Sequence, residues 1–139
     1  MDRRLSFLTA VLGFTAVALG ALGAHAVKTA LVGLPDAADR LHWWDLAARY
    51  HLAHALAAGL AAVLAAHVAG RFPTLAAGLF TLGIILFSGS LYVMALTGVR
   101  TLGAVTPFGG LSFLEGWIAL GFGARGLGRL KEAPRPGEP

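Results

Sequence analysis

Four apolar runs, residues 5–26, 50–69, 74–97 and 107–124, constrain this chain more than anything else in it. Each approaches the ~20 residues that a helix needs to cross ~30 Å of hydrocarbon. Backbone groups in lipid have no water to bond, so a spanning segment must be a helix or part of a closed barrel. These runs are too long for barrel strands and lack an alternation of period two. The expected fold is therefore all-α: an integral membrane four-helix transmembrane bundle, in one membrane domain over residues 1–139. Composition agrees, with 57% apolar and 13% charged residues, against roughly half and a quarter in soluble domains.

The ends of the runs carry their own signals. Arg71-Phe72-Pro73 makes a tight turn, and Pro73 suits a first helical turn, where a missing N–H costs little. Thr106-Pro107 repeats the logic, with Thr106 as the expected cap and Pro107 at the first helical position. Residues 34–49 differ from the runs. Pro35-Asp36 can open a helix, Trp43 and Trp44 mark a membrane interface, and Asp36, Asp39, Arg40, Asp45 and Arg49 hold the stretch at the water boundary. It reads as an interfacial amphipathic segment leading into the second span, continuous with it or kinked from it. Residues 132–139 read as a short disordered tail.

Lys and Arg set the expected orientation. With four spans, one side carries Arg3, Arg4, Arg71, Arg125, Arg129, Lys131 and Arg135, and the other only Lys28, Arg40, Arg49 and Arg100. Seven against four puts both termini in the cytoplasm of a multi-pass plasma (inner) membrane protein. Arg3-Arg4 and the later Ala24-His25-Ala26 also resemble a signal peptide, but the first run exceeds the usual 7–15 apolar residues, which favours a retained span. The basic residues, which give a net charge of +4, sit where anionic headgroups are met. Membrane lipids are therefore the expected partners, and nucleic acid is not.

Helices in lipid associate through close contact of small residues. Gly13, Ala16, Gly20 and Gly23-Ala24 form such a stripe on the first span, and Ser112, Gly116, Ala119 and Gly123 on the fourth. The second is rich in alanine at Ala53, Ala57, Ala61 and Ala65. Four short spans enclose little volume, so a transport role would favour a homo-oligomer.

Polar residues fall in the same half of the membrane on all four spans. His25 ends the first; Tyr50, His51 and His54 open the second; Ser88, Ser90 and Tyr92 lie in the outer half of the third; Glu115 lies about 12 Å into the fourth. Ionisable groups at such depth usually face the bundle interior or a wet cavity. A pocket lined by these residues is the expected ligand site, with Glu115 paired to a histidine or protonated and bonded locally. His25, His51 and His54 are the candidate metal ligands, although a three-residue spacing alone is weak evidence for a metal and interhelical hydrogen bonding is the favoured reading. No cysteine is present, which excludes disulfides and thiolate metal sites. Phe87-Ser88-Gly89-Ser90 is no nucleophile elbow, since no strand precedes it. Gly109-Gly110 lacks the lysine of a phosphate loop. No catalytic set is complete, so neither enzyme activity nor a cofactor is expected.

Several ordered motifs carry a resemblance: Gly20-Ala21-Leu22-Gly23-Ala24-His25-Ala26, Trp44 leading to Tyr50-His51-Leu52-Ala53-His54, Leu86-Phe87-Ser88-Gly89-Ser90-Leu91-Tyr92, and Thr106-Pro107-Phe108-Gly109-Gly110 with Gly116-Trp117. Over residues 5–125 the chain resembles the YwdK/YgdD-type family of small four-span membrane proteins (domain of unknown function 423 type). The resemblance implies a four-span inner-membrane protein of unknown function and supplies no activity, ligand or catalytic residue. It implies that His25, His51, His54, Ser88, Ser90 and Tyr92 belong to recurring motifs, and that the place of Glu115 is ordinarily apolar. Two readings follow. In the first, the His-lined pocket binds or passes a small ligand, ion or proton. In the second, the protein is a structural or assembly factor whose histidines only fix helix packing.

Overall fold

The computed structural model describes residues 3–127; the tail at 132–139 lies outside the described residues. Helix α1 runs over Arg3–Leu22 and continues through a π-turn at Gly23–Val27 into Lys28–Ala30. Helix α2 is Ala37–His67. Helix α3 comprises Phe72–Gly83, a π-turn at Ile84–Ser88, and Gly89–Thr97. A 3₁₀ turn, Arg100–Ala104, precedes helix α4, Thr106–Ala124. Three helices, over Arg4–Ala30, Ala37–His67 and Phe72–Thr97, are long and apolar enough to cross a membrane. Helix α4, at 19 residues, is ~28 Å long and so close to the hydrocarbon thickness. Glu115 and five glycines dilute its apolarity.

The second helix settles how residues 34–49 join their span. No glycine or proline occurs from 37 to 58, and one unbroken helix runs from Ala37 through the histidines. The interfacial segment is therefore continuous with the span. Its two tryptophans divide, because neighbours on a helix point ~100° apart. Trp44 is buried, whereas Trp43 lies under the Arg100 guanidinium at 5.2 Å. The charged residues tie this end together. Arg40 Nε lies 2.9 Å from Asp36 Oδ1, and Arg40 Nη1 donates to the Leu96 carbonyl at 3.3 Å. A cation there complements the exposed carbonyls of a helix C-terminus. The Arg40 guanidinium beside Asp36 holds its carboxyl below the usual carboxylate range. Gly98, at φ +74°, ends α3 in the left-handed region, and a Cβ there would fall on Arg40. Arg100 and Asp39 close the turn with an exposed ion pair at 2.8 Å.

Helices pack in chain order, α1 along α2, α2 along α3, and α3 along α4. The α3–α4 seam is built on a seven-residue repeat in each helix. Gly109, Gly116 and Gly123 of α4 face Phe87, Phe80 and Pro73 of α3, in antiparallel order. Both series repeat every seven residues, the spacing that keeps two helices in register as they wind. Ser112 Oγ, between the first two glycines, donates to the Leu79 carbonyl at 2.8 Å and satisfies a buried hydroxyl across the seam.

Helix α1 is the outermost element. Only 11% of its most apolar stretch is buried, against 44% and 50% for α2 and α3. Its expected stripe of small residues is only partly used. Ala16 is buried and Gly23 meets the Trp44 ring, but a Cβ on Gly13 or Gly20 would meet nothing within 4 Å. The difference has a physical reason: α1 is flanked by one helix, so a stripe wider than a single crossing has no second surface to meet. Gly116 is the opposite case, with Phe80 ring atoms 2.8 Å from where its Cβ would lie. Gly116→Leu is therefore expected to lower stability by roughly 1–3 kcal/mol, and Gly20→Leu by no more than ~0.5 kcal/mol. Thermal unfolding of both variants in detergent checks the contrast; equal melting temperatures would refute it. Thr106 also departs from expectation. The helix begins one residue earlier, and the Thr106 hydroxyl pairs with Ser90 Oγ at 2.9 Å instead of capping.

Candidate functional site

Two apolar clusters divide the bundle lengthwise. One gathers Ala57, Ala61, Ala77, Phe80, Phe113 and Leu120; the other gathers Val27, Leu31, Trp44, Ala47, Leu91 and Met94. Buried polar side chains fall where the clusters meet along each helix: His51 and His54 between Ala47 of the second cluster and Ala55 of the first on α2, and Ser88 between Ile84 of the first and Leu91 of the second on α3. Because the histidines are three residues apart, their side chains leave α2 about 60° apart. That angle is enough to send them into different clefts.

His51 points into the cleft shared by α1 and α3. Its Nε2 lies 3.4 Å from Thr15 Oγ1, and its Nδ1 lies 3.5 Å from the Tyr92 hydroxyl. Thr15 directs its one hydroxyl hydrogen to the Val11 carbonyl at 2.9 Å, so toward His51 it accepts. This assigns the proton to Nε2 and leaves Nδ1 to accept from Tyr92. A directed chain results: Tyr92 O–H to His51 Nδ1, His51 Nε2–H to Thr15 Oγ1, Thr15 O–H to Val11 C=O. It links three helices through long, weak contacts.

His54 points toward α4. Its ring stacks on Phe113 with centroids 3.5 Å apart and planes 10° from parallel. Its Nδ1 lies 2.8 Å from the Tyr50 carbonyl, which can only accept, so Nδ1 carries the hydrogen. Nε2 then accepts from Trp117 Nε1–H at 3.4 Å. Both ring nitrogens are engaged, and the imidazole is the neutral form. Tyr50, half exposed, spreads over the same cleft with its ring 4.5 Å from Phe87 and 5.7 Å from His54.

The structure brings only part of the expected site together. His51 meets Tyr92, and Tyr50 meets His54, but the two pairs occupy separate clefts. His25 is exposed on the π-turn of α1 and joins neither. Among the described residues no group of three His, Cys, Asp or Glu side chains is placed to hold a metal ion. A neutral imidazole ligates through its free lone pair, and in both buried histidines that lone pair accepts a hydrogen bond. Ser90 is occupied with the Phe87 carbonyl and Thr106. Ser88 is fully buried on the π-turn of α3, and its Oγ has no hydrogen-bond partner.

Glu115 lies outside both clefts. It is exposed on α4, along a groove of ≈ 330 Å³ between α3 and α4 lined by Phe72, Leu75, Leu79, Ile118 and Phe122. The expected pairing with a buried histidine does not form. Helix α4 turns its glycines and Phe113 to α3, and Glu115, two residues after Phe113, points away. Trp44, Trp117 and Thr15 complete the polar contacts and were not among the expected site residues. Their signal was available: each brings a polar hydrogen into an apolar run and must find an acceptor there.

The family described as "Protein of unknown function (DUF423)" matches residues 19–110. The UPF0382 membrane protein YwdK of Bacillus subtilis is 40% identical over 114 residues, covering 81% of this chain and 89% of its own. A UPF0382 membrane protein of Haemophilus influenzae is 38% identical over 124 residues, covering 89% and 95%. The UPF0382 inner membrane protein YgdD of Escherichia coli K12 is 38% identical over 129 residues, covering 92% and 94%. No solved structure matches the chain. The family match takes in His25, Tyr50, His51, His54, Ser88, Ser90 and Tyr92 and stops short of Glu115. With that extent and these identities, the chain belongs to the DUF423 family, membrane proteins of unknown function.

Proposed function

We propose that the protein is a non-enzymatic inner-membrane component, a helical partner or small assembly factor whose buried histidines fix the register of its own helices. The observation that carries this reading is His54, whose two ring nitrogens are both engaged within the chain while its face is stacked on Phe113. A histidine so held offers nothing to a ligand without first breaking the α2–α4 contact. The same reading has the chain multi-pass with both termini cytoplasmic. Seven Lys and Arg residues on that side against four on the other support this orientation, and the relative YgdD, named an inner membrane protein, supports the inner membrane as the location.

One observation favours a second reading, in which a small polar ligand, ion or proton is held among these buried polar side chains. Ser88 and Tyr92 are four residues apart and share a face of α3, and the Ser88 hydroxyl is buried without a partner. Proton-flux and metal analyses on wild type and His51→Ala/His54→Ala in proteoliposomes, beside thermal melts in detergent, separate the two. The packing reading expects His54→Ala to cost roughly 2 kcal/mol or more, from lost ring packing and an orphaned indole N–H, with identical flux and metal content. A flux or bound metal that disappears in the double variant at unchanged melting temperature would establish the second reading.

A further inference from the structure

Three helix ends meet at the end of the bundle opposite Arg40 and Gly98. His67 closes α2, Phe72 opens α3 and Ala124 closes α4. Between them lies a cavity of ≈ 310 Å³ lined by Val68, Ala69, Gly70, Pro73, Gly123 and Arg125, among others. That is the lower end of the ~300–1,000 Å³ range of ligand pockets, the scale of a headgroup and not of acyl chains. Glycines shape it. Gly70 turns the chain at φ +124°, a conformation that favours glycine. Gly126 lets the end of α4 close on Val68, which a Cβ there would strike.

One wall of the cavity is charged. The Arg125 guanidinium lies 4.7 Å from the centre of the Phe122 ring, which itself packs on Phe72 at 5.5 Å. A guanidinium held on an aromatic face keeps its N–H edge for another acceptor. Ala69 and Gly70 add backbone donors, since among the described residues neither N–H makes a hydrogen bond. No carboxylate answers this charge. Asp36, Asp39 and Asp45 belong to the opposite end of the bundle, and Glu115 lies ten residues back along α4, ~15 Å away. Among the described residues no ion pair reaches Arg71 or Arg125. Arginine is charged whatever its surroundings, so the site favours an anion under any ordinary condition. The depth says which anion. Helix α4 nearly matches the hydrocarbon thickness, so its end lies at the boundary where lipid phosphates stand. Basic pockets between spans on the cytoplasmic side recognise anionic headgroups. We propose that this cavity binds the phosphate headgroup of an anionic lipid of the cytoplasmic leaflet, with Arg125 and the Ala69–Gly70 backbone as donors. The leaflet, though not the site, rests on the orientation proposed above.

The full-length protein in a neutral detergent is melted, and weighed by native mass spectrometry, with added phosphatidylglycerol, phosphatidylcholine or inorganic phosphate. Phosphatidylglycerol is expected to raise the melting temperature and to stay bound, and the other two to do neither. Arg125→Gln should weaken phosphatidylglycerol binding about fivefold, the conversion of ~1 kcal/mol per arginine at an anionic surface. Ala69→Trp, which fills the cavity and leaves the charge unchanged, should weaken it at least as much. Arg100→Gln, at the opposite end and paired with Asp39, should bind as wild type does. All three positions are exposed, so lipid-free melting temperatures should match wild type. Equal binding of phosphatidylcholine, equal stabilisation by inorganic phosphate, or an Arg125→Gln protein that binds like wild type would overturn the headgroup site. Binding untouched by Ala69→Trp would overturn the role given to the cavity and leave surface charge alone. The chain has no cysteine, so Leu127→Cys introduces a unique thiol beside the site. Its labelling by an impermeant maleimide from outside intact cells would overturn the leaflet while the binding results stand.

Discussion

Gly109→Val prevents stable assembly of α4 on α3, whereas Gly110→Ala, one residue along, leaves the bundle intact. The contrast rests on what each side chain would meet. A Cβ at position 109 would collide with the backbone nitrogen, Cα and Cβ of Phe87, whereas at position 110 the nearest atom is Phe87 Cδ2 at 3.9 Å. A side chain can swing away from an intruding methyl group, but a helix backbone cannot move without its neighbours. Here it carries the π-turn Ile84–Ser88 and the Ser90–Thr106 contact with it. Overpacking usually costs about 1–3 kcal/mol when side chains yield; against backbone we expect Gly109→Ala near the top of that range and Gly109→Val beyond it. Yield from membranes, retention in size-exclusion chromatography and the melting temperature in detergent form the measurement. A Gly109→Val protein that melts with wild type would mean that the α3–α4 crossing is not this close.

That crossing shows how far the sequence was legible. Run length and apolarity in lipid leave a chain few options, so the helical membrane bundle could be read directly. Close contacts were harder. Gly116 and Gly123 stood out by their spacing, but the same rule promoted Gly13 and Gly20, which meet nothing within 4 Å. Small residues mark where a helix is able to approach; whether a partner is there depends on how many neighbours the helix has, and α1 has one. The histidines failed in a related way. Spacing put them on one face, yet 60° of rotation between them is the width of a cleft, and the crossing of α2 with α3 and α4 decides which cleft each enters. Glu115 misled because buried ionisable groups in membranes usually face inward. Here α4 turns its glycines and Phe113 to α3, and the Glu115 carboxyl is left exposed.

Trp44→Ala produces the other large effect, and it is local. Trp44 is 3% exposed; its indole N–H donates to the Leu19 carbonyl of α1 at 2.9 Å, and its ring meets Tyr92 of α3 edge-on at 4.7 Å. It therefore pins the outermost helix to the rest. Truncating a buried Trp costs about 3–5 kcal/mol, and with α1 so little covered, the loss should fall on its docking before it reaches the α3–α4 seam. Hydrogen exchange in detergent is expected to speed up in residues 12–27 while residues 109–123 stay protected. Trp44→Phe keeps much of the ring and loses the hydrogen bond, for about 1 kcal/mol. Gly23 supplies the control. Its missing Cβ leaves room for the Trp44 ring, so Gly23→Ala alone disturbs the same contact. In a Trp44→Ala background the added methyl group has nothing left to strike, and the two substitutions together should cost less than their sum. Strict additivity, or loss of protection spread evenly over all four helices, would show that Trp44 supports the bundle as a whole and does not dock α1 in particular.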